Sequence, residues 1–235
     1  METTQGNYSK DWGQTMGQQA GFAGGQQPGF AGGQQWGMPA GQMGQQAGQQ
    51  MGQKFGALEI MMAHQVLTHH IDGINQFELY RPHVKDQRLQ QILDSQGKHM
   101  YSSYQNIVNY LHNQGMGSSV PYRAPKVAGI NYGLRQPAPV EPNANQNEMD
   151  DSDVASGMMG CAKASTMVCS TAALECADPQ LRSMMTDCVI SSINQAYELF
   201  QYMNQKGMYQ VPTLADQTTQ TMVGLYQTGR QPQFQ

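Results

Sequence analysis

Apolar residues recur at helical spacing in two stretches of the first half of the chain. In the first stretch they step by four and three residues, and Pro82 marks its end. In the second they run from Leu89 to Leu111, and Gly115 supplies a C-terminal stop. The two stretches predict a helical hairpin. The predicted inward face of its first helix consists of Ile60, His64, Leu67, Ile71, Ile74 and Glu78.

The second half of the chain shows the same pattern. The acidic run at residues 150–153 predicts an N-cap and favourable first-turn charge for a third helix. Asp178 and Pro179 begin a fourth helix, with proline at the first helical position, and Gly207 ends it. No segment alternates with the period of a strand, so the sequence predicts an all-α protein. The four helices are expected near residues 57–81, 85–114, 153–177 and 179–206.

The two hairpins are similar to each other at an offset of 92 residues, since the segment 109–116 matches the segment 201–208. The linker between them, residues 116–150, is rich in proline and asparagine and is expected to be extended. Two duplicated hairpins joined by one long crossover predict a ferritin-like antiparallel four-helix bundle over residues 56–212.

The N-terminal residues 1–55 have a different composition. Glycine and glutamine dominate, there is no charge between Asp11 and Lys54, and residues 21–27 recur as residues 29–35. Such a segment buries too little apolar surface to offset the entropy of ordering it, so we expect a disordered arm. It is either a passive linker or an adhesive, cross-linkable arm. Residues 213–235 are expected to form a C-terminal tail.

Charge excludes several classes of function. Charged residues make up only 13% of the chain, and the net charge is −4. No segment forms the basic stripe that nucleic-acid binding requires. No stretch approaches the ~18 apolar residues of a membrane span, and the N-terminus does not resemble a signal peptide, so synthesis in the cytosol is expected. A polar but weakly charged surface favours dense packing against other proteins and self-association.

The second hairpin resembles the coat F family of endospore-forming bacteria. The resemblance rests on two blocks: residues 178–182, Asp-Pro-Gln-Leu-Arg, and residues 202–212, Tyr-Met-Asn-Gln-Lys-Gly-Met-Tyr-Gln-Val-Pro. It is strongest over residues 152–212 and fainter over residues 57–116, and Met208 replaces the tryptophan that is usual in the family. The resemblance implies a structural component of the spore coat, with other coat proteins as partners.

A ferritin-like bundle raises the question of a metal centre. The dinuclear carboxylate sites of that class need Glu-x-x-His, which is absent from this chain. Four predicted inward residues, His64, His99, Cys161 and Cys188, could instead form a Cys2His2 zinc site. The alternative, which we favour, is that the histidines are hydrogen-bonded core residues and the cysteines are small apolar fillers.

The four cysteines contain no Cys-x-x-Cys pair, so free buried thiols are expected. Cys188, His99 and Glu78 have the residue types of a nucleophile, a base and an orienting carboxylate. The sequence contains no phosphate-binding loop or oxyanion-binding turn to accompany them. We therefore predict no enzyme and no cofactor. The predicted function is assembly of the spore coat through the helical bundle and the Gln/Gly-rich arm; the alternative is a ferritin-like metal-binding or oxidative-stress protein.

Overall fold

The computed structural model describes residues 55–113, 120–126, 129–137, 139, 141–142 and 144–229. Across these residues the predicted all-helical class is confirmed, and the β-structure there is limited to isolated bridges from Tyr132 and Gly133 to Val211. The expected arm lies outside the described residues, apart from Phe55. The helices are α1 Ala57–Tyr80, α2 Gln87–Leu111, α3 Asp151–Glu175, α4 Pro179–Gln205 and α5 Asp216–Gly224, with 3-10 turns at Arg81–His83 and Gln146–Glu148.

Three of the long helices begin at an aspartate whose carboxylate accepts hydrogen bonds from the first turn. Asp86 caps α2, Asp150 caps α3 and Asp178 caps α4. Such a cap stabilises a helix by ~1 kcal/mol because it satisfies backbone N–H groups that have no partner inside the helix. The predicted starts of these helices therefore lie within two residues of the observed ones.

The four long helices pack against one another around a shared interior. α1 contacts α2 and α3, α2 contacts α4, and the most extensive interface joins α3 to α4. The buried apolar side chains form two clusters, one around Phe77, Leu93, Met158 and Leu199, the other around Val66, Ile107, Met185 and Leu181. Each cluster draws residues from all four long helices.

The buried face of α1 differs from the prediction by one residue at every step. The buried residues are Glu59, Ala63, Val66, His70, Gly73 and Phe77. One residue turns a side chain by ~100° around a helix, so the predicted face lies beside the core, and Ile60 and Ile71 are each 44% exposed. The physical reason is close packing: a Cβ added to Gly73 would lie 3.0 Å from the Cys161 Sγ, so α1 uses its small residues against α3.

The crossover between α2 and α3 runs along α4 in extended form. The Tyr122 N–H donates to the Ser191 hydroxyl at 3.0 Å, and the Gly133 N–H donates to the Val211 carbonyl at 2.8 Å. Beyond α4, the predicted tail contains α5, whose residues are all exposed. None of the helices described is long and apolar enough to cross a membrane.

Candidate functional site

A buried polar layer separates the two apolar clusters. Each of the four long helices contributes one residue to it, namely His70, Ser103, Ser165 and Ser192, and all four are buried. Burying a polar group is unfavourable unless it finds a hydrogen-bond partner. Each polar side chain of the layer therefore needs a hydrogen-bond partner inside the protein.

His70 is held by a hydrogen bond within its own helix and lies near Cys188. Its Nδ1–H donates to the Val66 carbonyl at 2.8 Å, which leaves Nε2 as the basic nitrogen of the ring, and the Cys188 thiol is close enough to shift the pKa of His70. Burial has the largest single effect and lowers the pKa of His70, but the interactions with Cys188 and with the Val66 carbonyl together outweigh it, so the pKa is raised. Ser103 Oγ lies 3.1 Å from the same sulfur. His70 and Ser103 thus fix the position of the Cys188 thiol.

Serines and cysteines pair across the interface of α3 and α4. The hydroxyls of Ser165 and Ser192 are hydrogen-bonded at 2.9 Å, and the Ser192 hydroxyl donates to the Cys188 carbonyl at 2.8 Å. Ser165 Oγ also lies 3.8 Å from the Cys169 sulfur, and the thiols of Cys169 and Cys188 are close enough for each to shift the pKa of the other. The two cysteines therefore face each other inside the protein.

A second buried group surrounds the carboxylate of Glu198, which is 3% exposed. Gln96 Nε2 donates to it at 3.0 Å and the Tyr122 hydroxyl at 2.5 Å, while the Arg88 guanidinium lies 3.6 Å away. Burial and the contact with Glu198 raise the pKa of Tyr122 to about 12, so the phenol stays protonated as a donor. These contacts tie the crossover to α2 and α4.

The predicted zinc ligands are not brought together. His64 is exposed on α1, so its predicted inward position is wrong, and His70 occupies the interior instead. His99 is half-buried and hydrogen-bonded to Ser191 at 3.0 Å. Cys161 and Cys188 belong to different apolar clusters. Among the residues that the structure describes, no group of three or more His, Cys, Asp or Glu side chains could hold a metal ion.

Cys188, His99 and Glu78, the nucleophilic group considered from the sequence, do not come together either. Glu78 is exposed and paired with Arg81 at 2.8 Å, while the histidine beside Cys188 is His70. His70 adjoins His69, and adjacent residues face different sides of a helix, so the sequence alone does not indicate which of the two is buried. The signal that could have found the layer is the spacing of Ser165 to Cys169 and of Cys188 to Ser192, four residues apart on each helix.

The block of residues 202–207 at the end of α4 has a specific structural role. Asn204 is buried; it accepts a hydrogen bond from the Asn131 N–H at 2.8 Å and donates to the carbonyls of Asn131 and Tyr209, both at 3.0 Å. Gly207 follows with a φ of +77°, and the N–H groups of Met208 and Tyr209 return to the Met203 carbonyl. One buried amide thus fixes the end of α4 and the crossover together.

Comparisons with known proteins agree with this description. The Coat F domain model matches residues 150–212, which include α3, α4 and the turn after them. The spore coat protein F-like protein YhcQ of Bacillus subtilis strain 168 is 31% identical over 162 residues, which are 68% of this chain and 74% of that protein.

A solved structure of a candidate spore coat protein from Bacillus halodurans C-125 superposes with a TM-score of 0.52. It covers 70% of this chain and 97% of its own, and at 14% identity it shows similarity of fold alone.

The helical fold and the relatives define the class as a helical spore coat protein. The chain belongs to the coat F family. Its location in the spore coat follows from that membership.

Proposed function

We propose that the protein is a structural, non-catalytic component of the spore coat that packs against copies of itself and other coat proteins. Its helices would supply a rigid unit, and its Gln/Gly-rich segment, residues 1–55, would supply a tether. Family membership supports the coat role. The observation that carries the assembly step is the amount of large apolar surface left exposed on the helices.

The proposed architecture of that unit is a ferritin-like four-helix bundle made of two duplicated hairpins. Neighbouring contacts support antiparallel packing. Along α2 and α4, Tyr110 bonds Asp178 at one end and Gln96 bonds Glu198 nearer the other. Duplication is supported by the caps, because the 92-residue offset places the cap of α2, Asp86, on the cap of α4, Asp178.

The proposed docking surface is the outer stripe of α1, which we define as Ile60, Leu67, Ile71 and Ile74; Leu67 and Ile74 also pack partly against the core. Ile60 and Ile71 are each 44% exposed, and Ile74 lines a cleft of about 360 Å³ between α1 and α2. Phe77, Gly97 and Tyr101 line the same cleft, and Glu78, Arg81, Asp94 and Lys98 surround it. An apolar surface with a charged rim is suited to a neighbouring protein in a dense layer.

A non-catalytic role is supported by the burial of the polar layer, which leaves a substrate no access to its side chains. His70, Cys169 and Cys188 are all buried; the His70 ring bonds the Val66 carbonyl, and the two sulfurs lie beside the hydroxyls of Ser165 and Ser103. A substrate would need an open cleft at these groups.

The test uses the full chain as a fluorescent fusion in a sporulating Bacillus. The intact fusion should surround the developing spore and resist extraction by mild detergent. Ile71→Lys should shift protein to the soluble fraction because it places a charge in the outer stripe. Gln65→Lys adds the same charge at another exposed position of α1 and should behave like the intact chain. A diffuse intact fusion would overturn the coat role, and equal extraction of both variants would overturn the docking surface.

A further inference from the structure

The hydrogen bond between Ser165 and Ser192 fixes the register of α3 against α4. Since the helices run in opposite directions, moving four residues forward from Ser165 and four back from Ser192 brings Cys169 opposite Cys188. The same register pairs other buried residues along the interface, including Met158 with Leu199 and Ala172 with Met185. The two thiols therefore face each other because of the register of the whole interface.

The side chains around the thiol pair are small. Ala162, Ser165 and Ala172 on α3 and Ser192 on α4 are all buried at this interface. Small residues let two helices approach closely, and a disulfide requires Cα atoms ~4.4–6.8 Å apart. The interface is therefore suited to a covalent bridge between the two sulfurs.

The other two cysteines have different surroundings. Cys161 lies against Gly73 in the other apolar cluster, and Cys176 caps the C-terminal end of α3. In the register that Ser165 and Ser192 define, Cys161 lies opposite Ala196 and Cys176 lies opposite Leu181, so neither faces another thiol across this interface. The geometry thus selects one pair among the four cysteines.

We propose that Cys169 and Cys188 form a reversible disulfide between α3 and α4 when the protein is exposed to a peroxide, with His70 positioned to accept the proton of Cys188. The bridge would lock the second hairpin in its packed form. The proposal concerns the thiols alone and does not depend on the outer stripe of α1.

The reaction proceeds in two steps. The Cys169 thiolate attacks one oxygen of hydrogen peroxide, the O–O bond breaks, and a sulfenic acid and a hydroxide form. The Cys188 sulfur then attacks the Cys169 sulfur, the S–O bond breaks, and the Cys188 proton passes through His70 Nε2 to the departing oxygen as water. The proton that Cys169 released on forming its thiolate converts the first hydroxide to water, so two thiols and one peroxide yield one disulfide and two waters.

The electrostatics of the pair support this order of attack. The neighbouring Cys188 thiol, together with the Ser165 hydroxyl, lowers the pKa of Cys169 against the opposing effect of burial. The neighbouring Cys169 thiol and burial raise the pKa of Cys188, which keeps that thiol protonated until the second step. Because Cys169 is 0% exposed, the peroxide must enter during local opening, and the reaction should be slower than at an exposed thiol.

The test starts from the full chain reduced and then treated with hydrogen peroxide. After unfolding and alkylation, non-reducing peptide mapping should find a peptide pair joining Cys169 to Cys188, with Cys161 and Cys176 alkylated. Oxidation should raise the Tm by roughly 5–10 °C, as expected for a short closed loop in a domain of this size, and dithiothreitol should reverse the shift.

Three variants make the test specific. Cys161→Ser with Cys176→Ser should still lose both remaining thiols, whereas Cys188→Ser should leave a sulfenic acid on Cys169 that dimedone captures. His70→Gln should slow disulfide formation and prolong dimedone capture in the otherwise intact chain. Full alkylation of Cys169 and Cys188 after peroxide, a sulfinic acid in place of the bridge, or a bridge to Cys161 or Cys176 would overturn the proposal.

Discussion

At the scale of single residues, the packing of α1 on α3 depends on a missing side chain. A Cβ at Gly157 would overlap the hydroxyl and ring of Tyr80. Tyr80 accepts a hydrogen bond from Gln76 Nε2 at 2.7 Å and packs against the cluster around Phe77. Glycine inside a helix is intrinsically unfavourable, so its presence here reflects the close approach of the Tyr80 ring.

Gly157→Ala should therefore lower stability even though alanine favours the helix by ~1 kcal/mol. Displacing the ring should cost ~1–3 kcal/mol, as overpacking usually does. The matched control is Gly160→Ala on the same helix, where a Cβ meets nothing within 4 Å and stability should rise by up to ~1 kcal/mol. Urea unfolding of both variants measures the difference, and an equal gain in both would contradict the packing argument.

The carboxylate of Glu59 is a second residue whose effect can be measured. It is 4% exposed and accepts hydrogen bonds from the Asp178 N–H at 2.5 Å and the Gly56 N–H at 2.6 Å. These backbone donors, that of Asp178 foremost, lower the pKa of Glu59 below its ordinary value of 4.5, although burial opposes the shift. Glu59 thus joins the start of α1 to the start of α4.

A lowered pKa in the folded state means that Glu59 stabilises the protein above its unfolded pKa, and that this contribution is lost as pH falls through the folded pKa. Glu59→Gln should therefore destabilise the protein at pH 7 by ~1–3 kcal/mol, since it weakens charged hydrogen bonds. The difference from the unaltered chain should shrink as pH falls below 4.5. Thermal melts across this range would show it, and a difference independent of pH would argue against the ionised carboxylate.

The sequence predicts the features that depend on neighbouring residues in the chain. The starts of α2, α3 and α4 follow from Asp86, Asp150 and Asp178, whose capping bonds are made within the next three residues. The burial of His70 cannot be predicted in this way, because it depends on partners from other helices. His70 and Cys188, which affect each other's pKa, lie on helices that no local sequence pattern connects.

At the scale of elements, Asn204 connects three segments through one side chain. Its amide nitrogen donates to two carbonyls and its oxygen accepts from one N–H, so both ends of the amide are used. The block that resembles the coat F family thereby secures the turn after α4 and the crossover at Asn131.

Asn204→Asp should release the crossover because a carboxylate cannot donate to the carbonyls of Asn131 and Tyr209. Asn131→Ala is the matched control, since Asn131 contributes only its backbone to these bonds. The Asp variant should show faster hydrogen exchange or proteolysis in residues 129–137 and a loss of ~1–3 kcal/mol for the unpaired buried groups. Equal protection in both variants would show that the crossover is held by other contacts.

The face of α1 shows why helix orientation is harder to predict than helix position. The pattern of large apolar residues selects Ile60, Leu67, Ile71 and Ile74, whereas packing selects a face that includes Ala63 and Gly73. Close helix contacts favour small residues, and only the partner helix decides whether close contact occurs. His64 belongs to the predicted face, so it too lies outside the core, and the four predicted zinc ligands do not share one site.

At the scale of the whole molecule, the fold places a paired polar layer inside and large apolar side chains outside. Met167 and Leu174 on α3, and Leu225 and Tyr226 after α5, are more than half exposed, as are Met61 and Leu79 on α1. A protein with so few charges has little electrostatic repulsion to keep copies apart. Exposed apolar area and low charge together favour association into a dense layer.

The proposed tether, residues 1–55, can be separated from the helical unit by deletion. Its glutamine amides would suit a transamidating enzyme, which must capture an extended substrate, and Lys10 and Lys54, which flank the glutamine tract, could serve as acyl acceptors. If the segment is cross-linked, deleting residues 1–53 should make the protein extractable from purified coats by hot detergent and reductant, while its deposition continues. The control replaces Lys10 and Lys54 by arginine, which keeps the charge and length but removes both acceptor amines. Retention of the truncated protein in the insoluble fraction, at the level of the intact chain, would identify the segment as a passive linker and leave assembly to the helical surface.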